Sequence, residues 1–229
     1  MHSLTKYIGG HGAVIGGVII DGANFDWTAD PKRQPLFNEP DPSYGGVVWG
    51  EAVPQITGHN IPFAIRARVC LLRDLGSCLS PDNAFQVIQG IETLPLRMRQ
   101  NCSNAERVVD FLEDHPKVER VIYPKNYDGV VGERAERYFN GGFGALVGLE
   151  LKGGIEAGKK FINSLKLFYH VANIGDARSL AIHPATTTHS QLTPEEQLAS
   201  GVTPGYVRLS LGIEHPDDLL SDLKQALET

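Results

Sequence analysis

A lysine near the start of the chain has neighbours that suit covalent chemistry. Lys6 follows the hydroxyl residues Ser3 and Thr5 and precedes a glycine-rich run at residues 7–12. A lysine amine forms a Schiff base with an aldehyde, and hydroxyl groups donate hydrogen bonds to phosphate oxygens. Glycines let the backbone approach a ring closely. The segment therefore indicates a lysine that binds an aldehyde cofactor with a phosphate group, which is the chemistry of pyridoxal phosphate.

A second candidate lies in a predicted strand at residues 206–212. Side chains alternate between the two faces of a strand, so Val207 and the apolar residues in phase with it face the core. Arg208 then projects from the opposite face, away from the core. The pattern alone leaves two interpretations open, a solvated strand arginine and an arginine that binds an anionic ligand.

Composition and charge restrict the partners of this chain. The 229 residues carry a net charge of -6, which disfavours nucleic acid and anionic membranes and favours a small metabolite. No apolar run reaches the length of about 18 residues that spans a bilayer. We expect no membrane segment, no secretion signal and a cytoplasmic location.

The cysteines and histidines do not indicate a metal or disulfide framework. Cys70, Cys78 and Cys102 are odd in number and lack CxxC spacing. His183 and His189 have no acidic or cysteine residues at ligand spacing, so we predict no metal site. His11, inside the glycine turn, is expected to bond to the backbone.

Hydrophobic patterns give the order of the elements. The first half is predicted to contain a buried strand at 13–20, an irregular stretch at 22–60 and a helix at 61–75. A helix from Ser80 to residue 91 and a second helical stretch at 96–113 follow, and Pro95 is expected to kink or interrupt the helical pattern. The second half is predicted to contain strands at 118–123, 145–151, 169–174, 179–182 and 206–212, and helices at 155–167, after Thr193 and at 216–228. We place a domain boundary between residues 115 and 116.

Several separated motifs resemble one enzyme family. HSLTKYIGGHG at residues 2–12 resembles the cofactor-lysine motif of the Cys/Met-metabolism family of pyridoxal-phosphate enzymes. The similarity continues through GGVIIDGANFDW, GIETLPLRM, ANIGDARSLAIHPATTTHSQL and TPGYVRLSLGIEH, and it extends over essentially the whole chain. Within the family, the chain is most similar to the O-acetylhomoserine sulfhydrylase branch.

The resemblance implies an α/β fold, the C-terminal part of a fold-type I pyridoxal-phosphate transferase. Residues 1–115 would be the remainder of the large cofactor domain and a connecting helix, and residues 116–229 the small C-terminal α/β domain. Family members are longer and carry the lysine near the middle, so we expect the N-terminal half of the site to be missing. An uncovered apolar face around residues 13–20 and self-association would follow.

The resemblance also implies roles for particular residues. Lys6 would be the catalytic and cofactor-binding lysine, and Ser3 and Thr5 would help to bind the cofactor. Arg208 and Asn173 would bind the substrate carboxylate. Thr188 would add a hydroxyl to this pocket, although an ordinary loop threonine is equally expected there.

The implied reaction is γ-replacement on O-acetyl-L-homoserine with sulfide or a thiol, giving homocysteine or methionine. A cystathionine γ-synthase or a methionine or cystathionine γ-lyase of the same family is the alternative enzyme. A truncated, non-catalytic remnant is the third interpretation. The expected partners are these small molecules, further copies of the chain in a homo-oligomer, and a polypeptide that supplies the N-terminal half.

Overall fold

The computed structural model describes residues 1–229 and divides into two compact units. The first unit contains Met1–Ser3 and Gly16–Ala84, and the second contains Leu4–Ile15 and Phe85–Thr229. The sequence boundary at residues 115 and 116 lies inside the second unit, between its longest helix and its first strand. That boundary stays a prediction.

The first unit has little regular structure. Its elements are strands β1 (His2–Ser3) and β2 (Gly17–Val18), then helices α1 (Pro35–Asn38), α2 (Trp49–Thr57), α3 (Pro62–Arg66) and α4 (Arg73–Leu75), with π-helical Ala67–Leu72 between α3 and α4. The helix predicted at 61–75 is therefore confirmed, whereas α2 was not predicted. Phe37, Trp49 and Val53 form the buried core of this unit.

The apolar run at residues 13–20 does not form the predicted buried strand. Only β2 is extended there, and it pairs with the two residues of β1. Ile15 is 79% exposed and Ile20 is 68% exposed. The prediction was wrong about burial because a strand is buried only when other layers cover both its faces. The exposed isoleucines fit the expected uncovered apolar face.

A single long helix leads into the second unit. Helix α5 (Pro81–Glu113) has 33 residues and continues through Pro95. The predicted interruption was wrong, because burial of Val87 and Val108 on the two sides of Pro95 offsets the hydrogen bond that proline removes. The predicted start is confirmed, since Ser80 Oγ accepts a hydrogen bond from Asn83 N at 3.2 Å.

The second unit is built on a five-stranded sheet. Its strands are β3 (Val118–Ile122), β4 (Leu146–Leu151), β5 (Tyr169–His170), β6 (Leu180–Ile182) and β7 (Tyr206–Ser210), in the order β3-β4-β7-β6-β5. The pairing is antiparallel except between β5 and β6. The predicted strands are confirmed in position, although β5 is shorter than predicted.

Helices accompany this sheet and complete its core. They are α6 (Gly129–Tyr138), α7 (Gly154–Ser164), α8 (Pro194–Ala199) and α9 (Pro216–Glu228). The capping box at Thr193 is present, whereas α6 was not predicted. Val207, Leu209 and Leu211 are fully buried in the core. Arg208 remains partly exposed, as the alternation of side chains predicts. No helix is long and apolar enough to cross a membrane.

Candidate functional site

Lys6 lies in a tight turn that its own backbone closes. Gly9 N donates to the carbonyl of Leu4, and Gly10 N donates to the carbonyl of Lys6, both at 2.8 Å. Gly10 has a φ of 74°, a left-handed conformation that glycine adopts at little cost. The turn leaves Lys6 half-buried, so its amine is held near the protein and still reachable.

Asn173 connects the two residues that the sequence predicts to carry the chemistry. Lys6 Nζ donates to Asn173 Oδ1 at 2.5 Å. Arg208 Nη2 donates to the backbone carbonyl of Asn173 at 3.3 Å. The tertiary structure thus joins a residue near the start of the chain to one near its end through a single asparagine.

The loop that contains Asn173 fits closely against the Lys6 turn. A Cβ at Gly175 would lie 2.6 Å from the backbone nitrogen of Tyr7. Gly175 N donates to Ser210 Oγ at 3.0 Å, and Ala177 N donates to the Gly10 carbonyl at 2.8 Å. The loop therefore fixes the Lys6 turn relative to strand β7.

Tyr7 places a buried phenol beside the same strand. Its hydroxyl is buried and has no hydrogen-bond partner. Burial raises the pKa of Tyr7, while the nearby Ser210 hydroxyl and the positive charge of Arg208 offset part of that rise. At neutral pH the phenol is consequently uncharged, and it is a neutral donor next to the candidate site.

Arg208 also borders a cavity that is lined by residues of helix α6 and of strands β3, β4 and β7. The cavity has a volume of about 470 Å³. Most of its lining is aromatic or aliphatic, including Tyr127, Val131 and Tyr206. A ligand carboxylate on Arg208 would therefore have an apolar space beside it.

The other predicted residues occupy varied positions. Ser3 is exposed in β1, in the first unit, whereas Thr5 is half-buried in the Lys6 turn. Thr188 is exposed, and its Oγ1 lies 2.9 Å from His189 Nδ1. The predicted roles of these three residues stay predictions. His11 bonds to the backbone as expected, with Nδ1 2.8 Å from the Gly9 carbonyl.

Arg97 on α5 is a residue of this site that the sequence did not single out. It is only 5% exposed, and it donates to the Tyr7 carbonyl from Nη1 at 2.8 Å. Sequence could have suggested it, because Gly90 and Arg97 are seven residues apart and so share one face of the helix. An arginine on the buried face of a helix is rare enough to indicate a specific partner.

Comparison with known families finds one family model that extends over nearly the whole chain. The model of the family described as "Cys/Met metabolism PLP-dependent enzyme" matches residues 1–228. The chain belongs to this family. The predicted resemblance is thereby confirmed, as is the α/β fold of a fold-type I fragment.

Individual members of the family are similar over the whole of this chain. An O-acetyl-L-homoserine sulfhydrylase of Leptospira meyeri is 54% identical, covering 100% of this chain and 52% of the relative. A homocysteine synthase of Schizosaccharomyces pombe is 47% identical, covering 99% of this chain and 52% of the relative. The chain thus spans about half the length of the curated relatives it matches.

A solved structure in the family shows the cofactor attached to lysine. The crystal structure of an O-acetylhomoserine (thiol)-lyase from Campylobacter jejuni contains an N'-pyridoxyl-lysine-5'-monophosphate. It matches this chain with a TM-score of 0.88 and 39% identity, covering 100% of this chain and 53% of the other.

The residues around Lys6 fit the cofactor of this family. The hydrogen-bond partner of the amine is a neutral amide oxygen, and no carboxylate forms an ion pair with Lys6. The amine is therefore not held in an ion pair, and a lysine amine is the group that attacks an aldehyde. Thr5 adds a hydroxyl in the same turn.

Proposed function

We propose that this chain supplies the cofactor lysine and the carboxylate-binding arginine of an O-acetylhomoserine sulfhydrylase. The reaction is γ-replacement on O-acetyl-L-homoserine with sulfide or a thiol, and the product is homocysteine or methionine. The names of the similar proteins from Leptospira and fission yeast support this assignment. The active assembly is a cytoplasmic homo-oligomer that contains the N-terminal half of the site together with the residues of this chain.

The contact of Asn173 with both Lys6 and Arg208 carries the proposal. An enzyme that acts at the α-carbon of an amino acid needs a base at that carbon and a cation at the adjacent carboxylate. Asn173 Oδ1 bonds to Lys6 Nζ, and its carbonyl bonds to Arg208. The base, Lys6, and the cation, Arg208, therefore contact the same residue.

Each residue then has a distinct task. Bound pyridoxal phosphate supplies an electron sink for the negative charge that develops on the substrate α-carbon. Arg208 binds the α-carboxylate with its planar fork, which matches the two carboxylate oxygens. Lys6 Nζ removes the α-proton and carries a proton toward the adjacent carbon. The amide of Asn173 orients the free amine before it reacts with the aldehyde of the cofactor.

Supporting roles follow for the remaining predicted residues. The hydroxyls of Ser3 and Thr5 donate to the cofactor phosphate, and the hydroxyl of Thr188 contributes to the carboxylate pocket. Residues 1–115 act as the remainder of the cofactor domain, and residues 116–229 act as the C-terminal α/β domain.

Reductive trapping tests the role of Lys6. The purified chain is incubated with pyridoxal phosphate, reduced with borohydride, digested and analysed by mass spectrometry. We expect the adduct on the peptide that contains Lys6, no adduct at this site in Lys6→Arg, and an unchanged yield in the exposed control Lys125→Arg. An adduct spread evenly over the surface lysines would contradict the proposal.

Substitution of Asn173 by aspartate tests the orienting contact. A carboxylate in place of the amide stabilises the ammonium form of Lys6, so less neutral amine is available. We expect the Lys6-specific trapping rate at neutral pH to fall about tenfold in Asn173→Asp, which corresponds to about 1.4 kcal/mol. The trapping profile should move to higher pH. Equal profiles for the wild type and Asn173→Asp would exclude the contact.

Turnover tests the substrate. The chain is co-expressed with the N-terminal half of the Leptospira sulfhydrylase, and the complex receives either O-acetyl-L-homoserine with sulfide or methionine or cystathionine. We expect homocysteine from the first mixture and loss of its formation in Arg208→Ala. Faster turnover of methionine or cystathionine would identify a γ-lyase instead, and cystathionine formed when cysteine replaces sulfide would identify a cystathionine γ-synthase. A complex that binds cofactor without any turnover would indicate a non-catalytic remnant.

A further inference from the structure

Arg97 uses its guanidinium to connect helix α5 with the turn that follows Lys6. Nη1 donates to the carbonyl of Tyr7 at 2.8 Å. Nη2 donates to the carbonyls of Ile8 at 3.4 Å and Gly90 at 2.6 Å. Nε donates to Thr93 Oγ1 at 3.1 Å. One side chain thus joins helix α5 to two consecutive carbonyls of the lysine turn.

No backbone N–H of the turn donates to the carbonyls of Tyr7 and Ile8. The backbone bonds of the turn use the carbonyls of Leu4 and Lys6 as acceptors. Those of Tyr7 and Ile8 come after them, like the last carbonyls of a helix, which need an external donor. Arg97 therefore supplies a cap to the Lys6 turn from a distant element.

Two glycines allow the guanidinium to reach this position. A Cβ at Gly10 would lie 2.1 Å from Arg97 Nη1. A Cβ at Gly90 would lie 2.4 Å from the Ile8 carbonyl oxygen and 2.5 Å from that of Gly9. A side chain at either position would separate the turn from the helix. The contact thus depends on Gly10, Gly90 and Arg97 together.

The charge of Arg97 is buried without a compensating acid. Arg97 takes part in none of the ion pairs of the chain, and burial lowers its pKa. A buried guanidinium is expensive to desolvate, so it is a costly way to hold an ordinary loop. The five donors of its planar fork, however, satisfy several carbonyls at fixed angles, which a lysine cannot do.

We infer that Arg97 is a positioning residue for the cofactor lysine. By fixing the carbonyls of Tyr7 and Ile8, it holds the backbone of Lys6 in the orientation that points the amine at Asn173. Arg97 itself touches neither substrate nor reacting atoms in this role. The effect of Arg97 on the reactivity of Lys6 rests on the proposed function. The hydrogen bonds from Arg97 to the turn, which we call the clamp, do not depend on any cofactor.

The first experiment separates the clamp from the chemistry. Amide hydrogen exchange of Gly9 and Gly10 is compared in the wild type, Arg97→Ala, Arg97→Lys and Arg99→Ala, without cofactor. Arg99 is an exposed arginine of the same helix, so its removal controls for charge. We expect at least tenfold faster exchange in Arg97→Ala, an intermediate rate in Arg97→Lys and no change in Arg99→Ala. Unchanged exchange in Arg97→Ala would overturn the inference.

The second experiment measures the consequence for Lys6. The rate of borohydride-trapped pyridoxal phosphate on Lys6 should fall about tenfold in Arg97→Ala while circular dichroism is unchanged. Added methylguanidinium at millimolar concentration should restore part of the rate in this variant and leave the wild type unaffected. A purely structural role predicts no rescue. If the wild type itself does not trap the cofactor, the proposed function fails, and the exchange data alone then decide whether the clamp exists.

If Arg97→Ala does not fold, a pair of glycine variants tests the contact between Arg97 and the Lys6 turn. Gly10→Ala introduces both backbone strain and a clash with the guanidinium, whereas Gly129→Ala introduces similar strain with nothing within 4 Å. We expect Gly10→Ala to accelerate exchange at Gly9 and slow trapping, and Gly129→Ala to change neither. The effect of Gly10→Ala on exchange and trapping should be smaller in the Arg97→Lys background, because lysine has no guanidinium for the new methyl group to clash with. Equal effects in both backgrounds would contradict the contact.

Discussion

At the scale of single residues, neighbours in space decide what a side chain does. Lys6 is one of many lysines by composition, yet it alone has an amide oxygen of Asn173 at 2.5 Å and a capped turn around it. Arg208 and Arg97 are both arginines of the second unit. One faces a cavity, whereas the other is buried among backbone carbonyls, so only the first is available to a ligand.

His183 gives a prediction at this scale. Its imidazole is buried, with Nδ1 2.8 Å from Thr186 Oγ1 and Nε2 2.8 Å from the Pro204 carbonyl. Burial lowers the pKa of His183 below its ordinary value of 6.5. The unfolded chain therefore binds a proton more readily than the folded one in this range, and the free energy of unfolding falls as the pH decreases below about 6.5.

We expect His183→Gln to remove this part of the pH dependence, because glutamine does not titrate. The measurement is urea unfolding followed by circular dichroism at several pH values. The exposed residue His59 is the control, and His59→Gln should keep the slope of the wild type. A His183→Gln profile as steep as that of the wild type would assign the slope to other groups.

At the scale of elements, one buried carboxylate joins a helix to the connection between two other elements. Asp222 on α9 accepts hydrogen bonds from the backbone nitrogens of Lys166 at 2.9 Å, Leu167 at 2.8 Å and Phe168 at 3.2 Å. These nitrogens belong to the connection between α7 and β5. The closing helix thus shapes the connection that precedes the strand leading to Asn173.

Removal of that carboxylate should destabilise the second unit. Asp222→Ala leaves three backbone N–H groups without their acceptor, and we expect a loss of about 2–3 kcal/mol in the free energy of unfolding. Asp218→Ala removes an exposed carboxylate from the same helix and should change stability by less than about 0.5 kcal/mol. Chemical denaturation measures both. Similar losses in the two variants would point to helix propensity as the cause.

At the scale of the whole molecule, the two units differ in how much they bury. The core of the second unit joins helices α5, α7 and α9 to the central strands, with Leu112, Phe161 and Leu223 among its members. The first unit has a buried core of three residues and exposes Phe25, Ile56 and Leu75. Since apolar burial is the main source of stability, the units should open at different free energies.

Limited proteolysis checks this difference. We expect trypsin to cleave first after the basic residues of the first unit, between Lys32 and Arg73, and to leave the chain from Phe85 onward intact for longer. Mass spectrometry of a time course identifies the cuts, and the urea-unfolded chain shows which sites trypsin accepts without structure. Simultaneous cleavage at Arg107 or Lys159 in the native chain would mean that the second unit is no more stable than the first.

The sequence by itself predicted the family's cofactor and much of the local structure. The hydroxyl, lysine and glycine residues around Lys6 predicted a cofactor amine, and period-two alternation predicted that Arg208 faces away from the core. The capping box at Thr193 was also predicted, because short-range rules govern a helix start. These features depend on residues that are close together in the chain.

Only the tertiary structure decided which segments that are far apart in the sequence contact each other. Pro95 remains inside one helix because packing on both sides of it outweighs a local penalty. Asn173 meets Lys6, and Arg97 caps its turn, through contacts between segments far apart in the chain. Propensity and periodicity describe a segment against its immediate neighbours, whereas these contacts arise from the burial of whole elements against each other.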